Sequence, residues 1–358
     1  MGDLTFSQMK IEERESVLDF LRVAYPDNTR QSDPQFWDWH YLSHPRTGPD
    51  NIPVWLAKSG GRIVGQAAAR PCALTVNSEG LNAAWLLDLI VHPEFRRTGM
   101  GRELVSAVRS NFDVLLATPT ARQHSPALFK SLGWSDLGAI PRAHRPLFPA
   151  NDLPIAHMRP VRSAVNGIWR AVTSTRSGRT FSNVREVSTI DRSFDVLWAE
   201  CRTQWKAAAE RSSEELKWQY RDQPGKTFTV LGCYDDMKLI GYAVLFFRRT
   251  GKEGVVKKGA ISDIVYHPSA PQSTIADLIA ASTAEAVERR CGGLVADASD
   301  PRIRSVLLAN GFWKVKSPQF LMASDCPRIP GGLPDISDWH ITRADSDIGI
   351  FEDPNIDE

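Results

Sequence analysis

The sequence predicts a protein of mixed α/β (α+β) class, built as two tandem domains that each contain a mixed β-sheet flanked by helices. Two observations lead to this prediction. Short motifs recur in both halves of the chain at similar spacing, and strand-like and helix-like segments follow each other in the same order in each half. With 358 residues, the chain is long enough to form two cores of ordinary domain size.

Four short motifs recur with nearly the same offset along the chain. They are Trp39-x-Tyr41-x-x-x-Pro45 with Trp218-x-Tyr220-x-x-x-Pro224, Ile63-Val64-Gly65 with Leu239-Ile240-Gly241, Asp88-x-x-x-His92-Pro93 with Asp263-x-x-x-His267-Pro268, and Gly133-Trp134 with Gly311-Phe312. Chance matches of short patterns would not keep a common offset, so the sequence indicates a tandem duplication.

Each half is predicted to begin with an amphipathic helix, at residues 11–25 and at about 194–208, because apolar side chains recur there at helical spacing. The Trp-x-Tyr motif follows in a short helix that ends before its proline. A hairpin comes next, with residues 54–57 and 62–68 on either side of Gly60-Gly61 in the first half. The remaining predicted elements are a long strand, a central helix, an apolar strand (residues 114–117 and 294–296), a short helix and a closing strand.

These elements predict domains at residues 1–150 and 185–328, joined by a basic linker at 151–184 and followed by a tail at 329–358. A helix is predicted within the linker at residues 163–172. The linker's arginines fit either a solvated connection or a basic rim that attracts an anionic ligand.

Composition excludes several classes of function. Lys and Arg total 43 against 42 Asp and Glu, so net charge gives no argument for a nucleic-acid partner. No apolar run has the length of a membrane span, and the first residues lack a signal-peptide pattern. The five cysteines are scattered and predict buried or free thiols in a reducing cytoplasm, with no disulfide framework and no metal site.

The stretch with the clearest chemistry is an apolar strand, residues 85–91, followed by a basic corner and a new helix. The corner reads Arg96-Arg97-Thr98-Gly99-Met100-Gly101. Glycines allow the backbone to approach an anion closely, and the first N–H groups of a helix have no partner within the helix. The sequence therefore predicts a site for a phosphorylated ligand.

The pattern Val91-x-Pro93-x-x-Arg96-x-x-Gly99-x-Gly101 between a strand and a helix resembles motif A of the GNAT acyltransferase superfamily. The preceding hairpin and the later Leu128-Phe129-Lys130-Ser131-Leu132-Gly133-Trp134 segment resemble other elements of that family in the right order. The resemblance covers residues 4–148 well and residues 184–324 as a more diverged second copy.

The resemblance implies an acyl-CoA co-substrate, with acetyl-CoA as the expected donor. It places the CoA pyrophosphate on backbone N–H groups of Arg97, Thr98, Gly99, Met100 and Gly101, with added positive charge from Arg96 and Arg97. It also implies that the backbone of Leu89, Ile90 and Val91 pairs with the pantetheine arm and polarises the thioester carbonyl.

Asp88 and His124 are the candidate catalytic residues. Asp88 would act as the base that deprotonates the acceptor amine or as a carboxylate that orients the acceptor. Its recurrence as Asp263 favours a carboxylate that braces the sheet. His124 has a titration range suited to proton transfer. The repeated His92 and His267 are expected to shape turns.

Phe129 stands where many family members carry the tyrosine that protonates the departing CoA thiolate, so this acid is absent. Solvent or His124 would have to supply the proton. The second half also lacks the glycines and arginines of the corner, and Pro271 removes a backbone donor there. We therefore expect CoA binding in the first half only. The second half would support the fold and close the acceptor cleft.

The sequence thus predicts an acyl-CoA-dependent N-acyltransferase whose amine acceptor is an amino sugar, an amino acid or a peptide amine. Two alternatives stay open: a Fem-like aminoacyl transferase and a non-catalytic protein that binds or senses acyl-CoA. The repeated aromatic segments fit either acceptor binding or core packing. A monomer and a homodimer are both compatible with the duplication.

Overall fold

Two mixed β-sheets form the framework of the protein, and helices pack against both. The computed structural model describes residues 3–26, 29–120, 125–151, 159–173, 183–250 and 255–347. The mixed α/β class predicted from the sequence is confirmed. The five cysteines are all free and buried.

The first half of the chain contributes seven strands and five helices. In order they are β1 (Leu4–Gln8), α1 (Arg14–Ala24), α2 (Pro34–Tyr41), β2 (Val54–Ser59), β3 (Arg62–Val76), β4 (Glu79–Val91), α3 (Met100–Arg109), β5 (Val114–Ala117), α4 (Ser125–Ser131), β6 (Ser135–Ala139), β7 (Arg142–Pro146) and α5 (Arg159–Thr173).

The second half contributes nine strands and four helices. They are β8 (Val184–Glu186), α6 (Arg192–Cys201), β9 (Ala207–Ala209), α7 (Ser213–Tyr220), β10 (Phe228–Asp235), β11 (Lys238–Thr250), β12 (Val255–Tyr266), α8 (Gln272–Glu288), β13 (Gly293–Asp297), α9 (Pro301–Ala309), β14 (Trp313–Val315), β15 (Phe320–Ala323) and β16 (Trp339–His340).

The strand orders of the two sheets correspond to each other. The first sheet runs β1-β2-β3-β4-β5-β15-β6, with β9 and β16 attached beside β3, and the second runs β14-β7-β13-β12-β11-β10-β8. Each sheet contains one parallel pair in this series, β4 with β5 and β12 with β13, and its other neighbours in the series are antiparallel.

The two halves exchange a strand. β15, from the second half, lies between β5 and β6 of the first sheet, and β7, from the first half, lies between β13 and β14 of the second sheet. Each sheet therefore contains strands from both sides of the linker. The domain boundaries at 150 and 185 stay a prediction, and the sequence pattern did not indicate the exchange.

Most predicted helices form where their apolar spacing indicated. Val17, Leu18, Phe20 and Leu21 of α1 are all buried, and Leu104, Val105 and Val108 bury one face of α3. The predicted helix at 194–208 is wrong at its end, because α6 stops at Cys201. Residues 207–209 instead form β9, which pairs with β3, so hydrogen bonding across the molecule overrides the local helical preference there.

The basic segment between the halves contains a packed helix. α5 is longer than the predicted 163–172 and contacts the end of β7. Asn166 accepts a hydrogen bond from the Ala150 N–H at 3.0 Å, and the Trp169 indole donates to the Pro146 carbonyl at 3.1 Å. A purely solvated connection is therefore wrong for this part of the linker.

Candidate functional site

A gap opens in the first sheet where β4 and β5 separate. The two strands pair only over residues 83–85 and 114–116, and β4 then continues to Val91 while β5 ends at Ala117. Leu89, Ile90 and Val91 lie on this extension of β4 and are partly exposed. Since they have no hydrogen bond to β5, their backbone can pair with an extended ligand chain.

The basic corner follows directly and has the backbone geometry of an anion site. Arg97 and Gly99 both adopt positive φ, +65° and +90°, before α3 begins at Met100. Within the described part of the chain, the N–H groups of residues 97–101 have no protein acceptor. Adjacent unpaired N–H groups at a helix start form a concave donor surface that suits a phosphate.

The corner's two glycines are required for different reasons. Gly99 has space around a Cβ position, but its φ of +90° is one that other residues rarely adopt. At Gly101 the φ is ordinary, and a Cβ would lie 3.3 Å from Leu128 Cδ2.

The corner's side chains divide between solvent and the neighbouring turns. Arg96 and Arg97 are exposed and could reach a bound anion, although Arg96 Nε also donates to the Val91 carbonyl at 3.2 Å. Thr98 closes the turn by donating to the Phe95 carbonyl at 2.6 Å.

Asp88 projects from β4 toward α2. It has a φ of +44° at a bulge in β4, where Asp88 and Leu89 together lie opposite Ala67 of β3. Its carboxylate accepts hydrogen bonds from the Tyr41 hydroxyl and from Gln31 Nε2, the latter at 3.0 Å. Burial raises the pKa of Asp88 to about 6, the Tyr41 hydrogen bond opposes the rise, and Asp347 adds to it. This carboxyl group can exchange a proton near neutral pH.

The equivalent Asp263 has a different environment. It is fully buried and bonds to Arg211 Nε at 3.0 Å, to the Tyr242 hydroxyl at 3.0 Å and to the Thr342 hydroxyl at 2.8 Å. Asp263 thus braces the sheet as an ion-paired carboxylate. Among the described residues, Asp88 has no such cationic partner. The two aspartates therefore hold equivalent positions in the repeat but differ in their electrostatic surroundings.

The other candidate residues have distinct outcomes. His92 and His267 accept hydrogen bonds through Nδ1 from the N–H two residues later, at 3.4 and 3.1 Å, which confirms that they shape turns. Phe129 is buried and stacks on Trp134 with 4.5 Å between ring centroids. His124 lies outside the described residues.

The described residues of the second half differ from the first half at the corner and at the gap between strands. Between His267 and Gln272 no described residue has positive φ, and the Thr274 N–H donates to the Pro271 carbonyl at 2.8 Å. The C-terminal segment also enters between the ends of β12 and β13. Thr342 bridges Ala298 and bonds Asp263 there.

Sequence reasoning did not identify Gln31, Thr118 or Asp347, which lie close to Asp88 or to the gap. No motif connects these positions, and the chain folds them together from distant segments.

The described helices include none long and apolar enough to cross a membrane.

Comparisons with known proteins find similarity in sequence for the first part of the chain and in fold for most of it. Residues 5–135 match the family described as the Acetyltransferase (GNAT) domain. Yeast (Saccharomyces cerevisiae) N-myristoyltransferase with bound myristoyl-CoA superposes with a TM-score of 0.58 at 11% identity, covering 90% of this chain and 83% of that one. No curated protein matches the chain.

Two bacterial structures are similar to the same extent. A probable N-acyltransferase from Enterococcus faecalis superposes with a TM-score of 0.61 at 13% identity, covering 90% of this chain and 72% of that one. A GCN5-related N-acetyltransferase from Anabaena variabilis gives 0.62 at 12% identity, covering 90% and 73%. Residues 5–135 are therefore similar in sequence to the GNAT domain family, and 90% of the chain shares its fold with these three solved proteins.

Proposed function

We propose that this protein transfers an acetyl group from acetyl-CoA to an amine acceptor, with its active site in the first half of the chain. The observation that carries the proposal is the adjacency of three features: the N–H-lined corner at Arg97–Gly101, the open gap beside β4, and the carboxylate of Asp88 at that gap. These features would bring the thioester of acetyl-CoA and a proton acceptor to one edge of the sheet.

The corner would hold the CoA pyrophosphate. The N–H groups of residues 97–101 would donate to its oxygens, and Arg96 and Arg97 would supply positive charge. The pantetheine arm would lie along Leu89, Ile90 and Val91 as an added strand. A backbone N–H of this segment would then polarise the thioester carbonyl.

Asp88 would accept a proton from the acceptor's ammonium group, directly or through one water molecule. The freed amine nitrogen then attacks the thioester carbonyl carbon and a C–N bond forms. The nitrogen loses its second proton to solvent as the C–S bond breaks. The CoA thiolate leaves and is protonated by solvent or by His124, since Phe129 supplies no hydroxyl group.

We assign the second half a supporting role without CoA binding. The absence of left-handed residues in its described corner and the position of Thr342 between β12 and β13 support this division. Amino sugars, amino acids and peptide amines are the proposed acceptors, and a cytoplasmic location is proposed with them.

Calorimetric titration with acetyl-CoA tests the site. Gly99→Asp places a negative charge and a Cβ at the corner and should abolish binding. Gly61→Asp is the matched control, because Gly61 also has positive φ (+83°) and open space but lies in the β2–β3 hairpin. Retained binding in Gly99→Asp, or acetyl-CoA found in the second half of a crystal structure, would contradict the proposal.

The chemistry is tested by release of free CoA thiol with a panel of primary amines. Acetyl-CoA and myristoyl-CoA serve as alternative donors, and preference for the longer donor would overturn the acetyl assignment. Tight acetyl-CoA binding with no turnover would favour a sensor over an enzyme.

A further inference from the structure

We propose that Asp347, carried by the C-terminal segment, completes the acceptor site beside Asp88, and that the two carboxylates bind the acceptor as its ammonium ion. This inference rests on the proposed function and names the substrate class of the same site.

Both halves of the molecule hold the segment that leads to Asp347. β16 pairs with β9, and the Ala344 carbonyl accepts hydrogen bonds from Arg70 at 3.2 Å and Gln219 at 2.8 Å. Asp345 forms a buried ion pair with Arg211 at 2.7 Å. These contacts hold Ala344 and Asp345, which lead to Asp347, against both halves of the molecule.

Asp347 lies on the opposite side of the gap from β4. The hydroxyl of Thr118, the residue that follows β5, donates to Asp347 Oδ1 at 3.5 Å, and Ser346 Oγ donates to the same oxygen at 3.1 Å. Asp347 is close enough to raise the pKa of Asp88, and burial raises its own pKa. Two carboxyl groups from segments distant in sequence therefore lie within electrostatic range of each other at this gap.

An independent feature shows what the space lacks. Gln31 is only 9% exposed, its Nε2 donates to Asp88, and its Oε1 is buried without a donor from any described residue. Gln31 Oε1 thus adds an acceptor to the two carboxylates, while the Tyr25 hydroxyl and the Arg70 guanidinium are donors nearby.

Among the described residues, Arg70 is a cation that acts on Asp347, but it forms no ion pair with either carboxylate. Tyr41 donates to Asp88, Tyr25 lies within electrostatic range of both carboxylates, and Arg70 acts on Asp347 while bonding to the Ala344 carbonyl. Neither Asp88 nor Asp347 has an ion pair within the described residues. Buried carboxylates without a cation are costly, and an ammonium ion offers three N–H donors and a positive charge.

This arrangement selects amines that are protonated at neutral pH. The ammonium ion would bind between the carboxylates, and Asp88 would take one of its protons before the nitrogen attacks. Weakly basic aromatic amines and hydroxyl acceptors carry no such charge and should be poor substrates.

Kinetics of Asp347→Asn test the proposal, with Asp335→Asn as the matched control. Asp335 is an exposed carboxylate of the same C-terminal segment, so its variant removes the same charge away from the gap. The probes are acetyl-CoA with ethanolamine, glucosamine, lysine and a tripeptide with a free N-terminus, and ethylene glycol and glucose as hydroxyl counterparts. Acetyl-CoA affinity and the melting temperature are measured for each variant.

We expect Asp347→Asn to raise the KM for the amine by about tenfold or more, with a smaller change in kcat, because a charge-assisted contact to the bound acceptor is lost. Acetyl-CoA affinity should stay within about twofold, since the corner is untouched. Asp347→Glu should restore part of the amine affinity, which a role in folding alone would not predict.

The outcomes separate this inference from the proposed function. If the wild type turns over amines and Asp347→Asn behaves like Asp335→Asn, the inference is wrong and the transferase proposal stands. Equal turnover of ethanolamine and ethylene glycol, or of glucosamine and glucose, would also overturn it. If the wild type binds no acetyl-CoA or acetylates no amine in the panel, both proposals fail.

Discussion

Trp39 and Trp218 form a reciprocal contact between the two halves of the protein. Each indole Nε1 donates to the backbone carbonyl of the other residue at 2.9 Å, and the two ring systems stack with 4.6 Å between centroids and 9° between planes. The residues hold equivalent positions in the repeated Trp-x-Tyr motif, so this contact marks an axis of approximate twofold symmetry. Both are buried, which confirms core packing for these two side chains.

Removing one indole N–H from this pair should destabilise the fold. Trp39→Phe and Trp218→Phe each leave a buried carbonyl without its donor and should each lower the free energy of unfolding by about 1–3 kcal/mol. Denaturant titration of both single variants and the double variant gives the coupling between them. The exposed Trp313 provides the control in Trp313→Phe, which should change stability little. Full additivity of the first two variants would argue against a coupled pair.

The rate of acetyl transfer should depend on the ionisation of Asp88. A base must be deprotonated, and the pKa of Asp88 is about 6, so kcat/KM should fall below pH 6 by about tenfold per pH unit. Asp88→Asn should lower kcat by roughly 10²–10⁴ and remove this limb of the profile, while acetyl-CoA affinity is preserved. A profile that keeps its acidic limb in Asp88→Asn would assign the titration to another group.

The same carboxyl group should make stability depend on pH. Its pKa is raised from 3.8 to about 6 by folding, so the folded state binds the proton more tightly than the unfolded state. This contribution to stability is complete below pH 4 and is lost as the pH rises through 6. Asp88→Asn should therefore stabilise the protein at pH 8 by roughly 1–3 kcal/mol and have little effect at pH 4. Urea titrations of both proteins at the two pH values measure the difference, and a destabilised variant at pH 8 would contradict it.

A buried ion-pair cluster connects β7, the strand that the first half contributes to the second sheet, with β13 and the C-terminal segment. Asp297 of β13 binds Arg142 of β7 at 2.7 Å and Arg343 of the C-terminal segment at 2.8 Å. Asp297→Asn removes the carboxylate that both buried guanidinium groups share and should cost about 3–5 kcal/mol of stability. Asp325→Asn removes a largely exposed partner of Arg109 and should cost less than about 1 kcal/mol. Equal losses in thermal unfolding would exclude a special role for the cluster.

Much of the architecture could be predicted from local patterns. The apolar spacing of α1 and α3, the hairpin around Gly60-Gly61 and the corner at Gly99 depend on neighbouring residues, whose side-chain periodicity and backbone freedom can be read directly. The duplication also identified equivalent positions, including Asp88 and Asp263. The duplication did not indicate that these two aspartates have different partners.

The sequence by itself determined the order of elements, the mixed α/β class and the glycine-containing basic corner before α3. Only the tertiary structure decided that β7 and β15 change sheets, that residues 207–209 form a strand, and that Asp263 is ion-paired while Asp88 is not. It also brought Asp347 to the gap beside Thr118. The physical reason is that helix periodicity and backbone conformation depend on residues close in sequence, whereas strand partners and the burial of charge depend on contacts between distant segments.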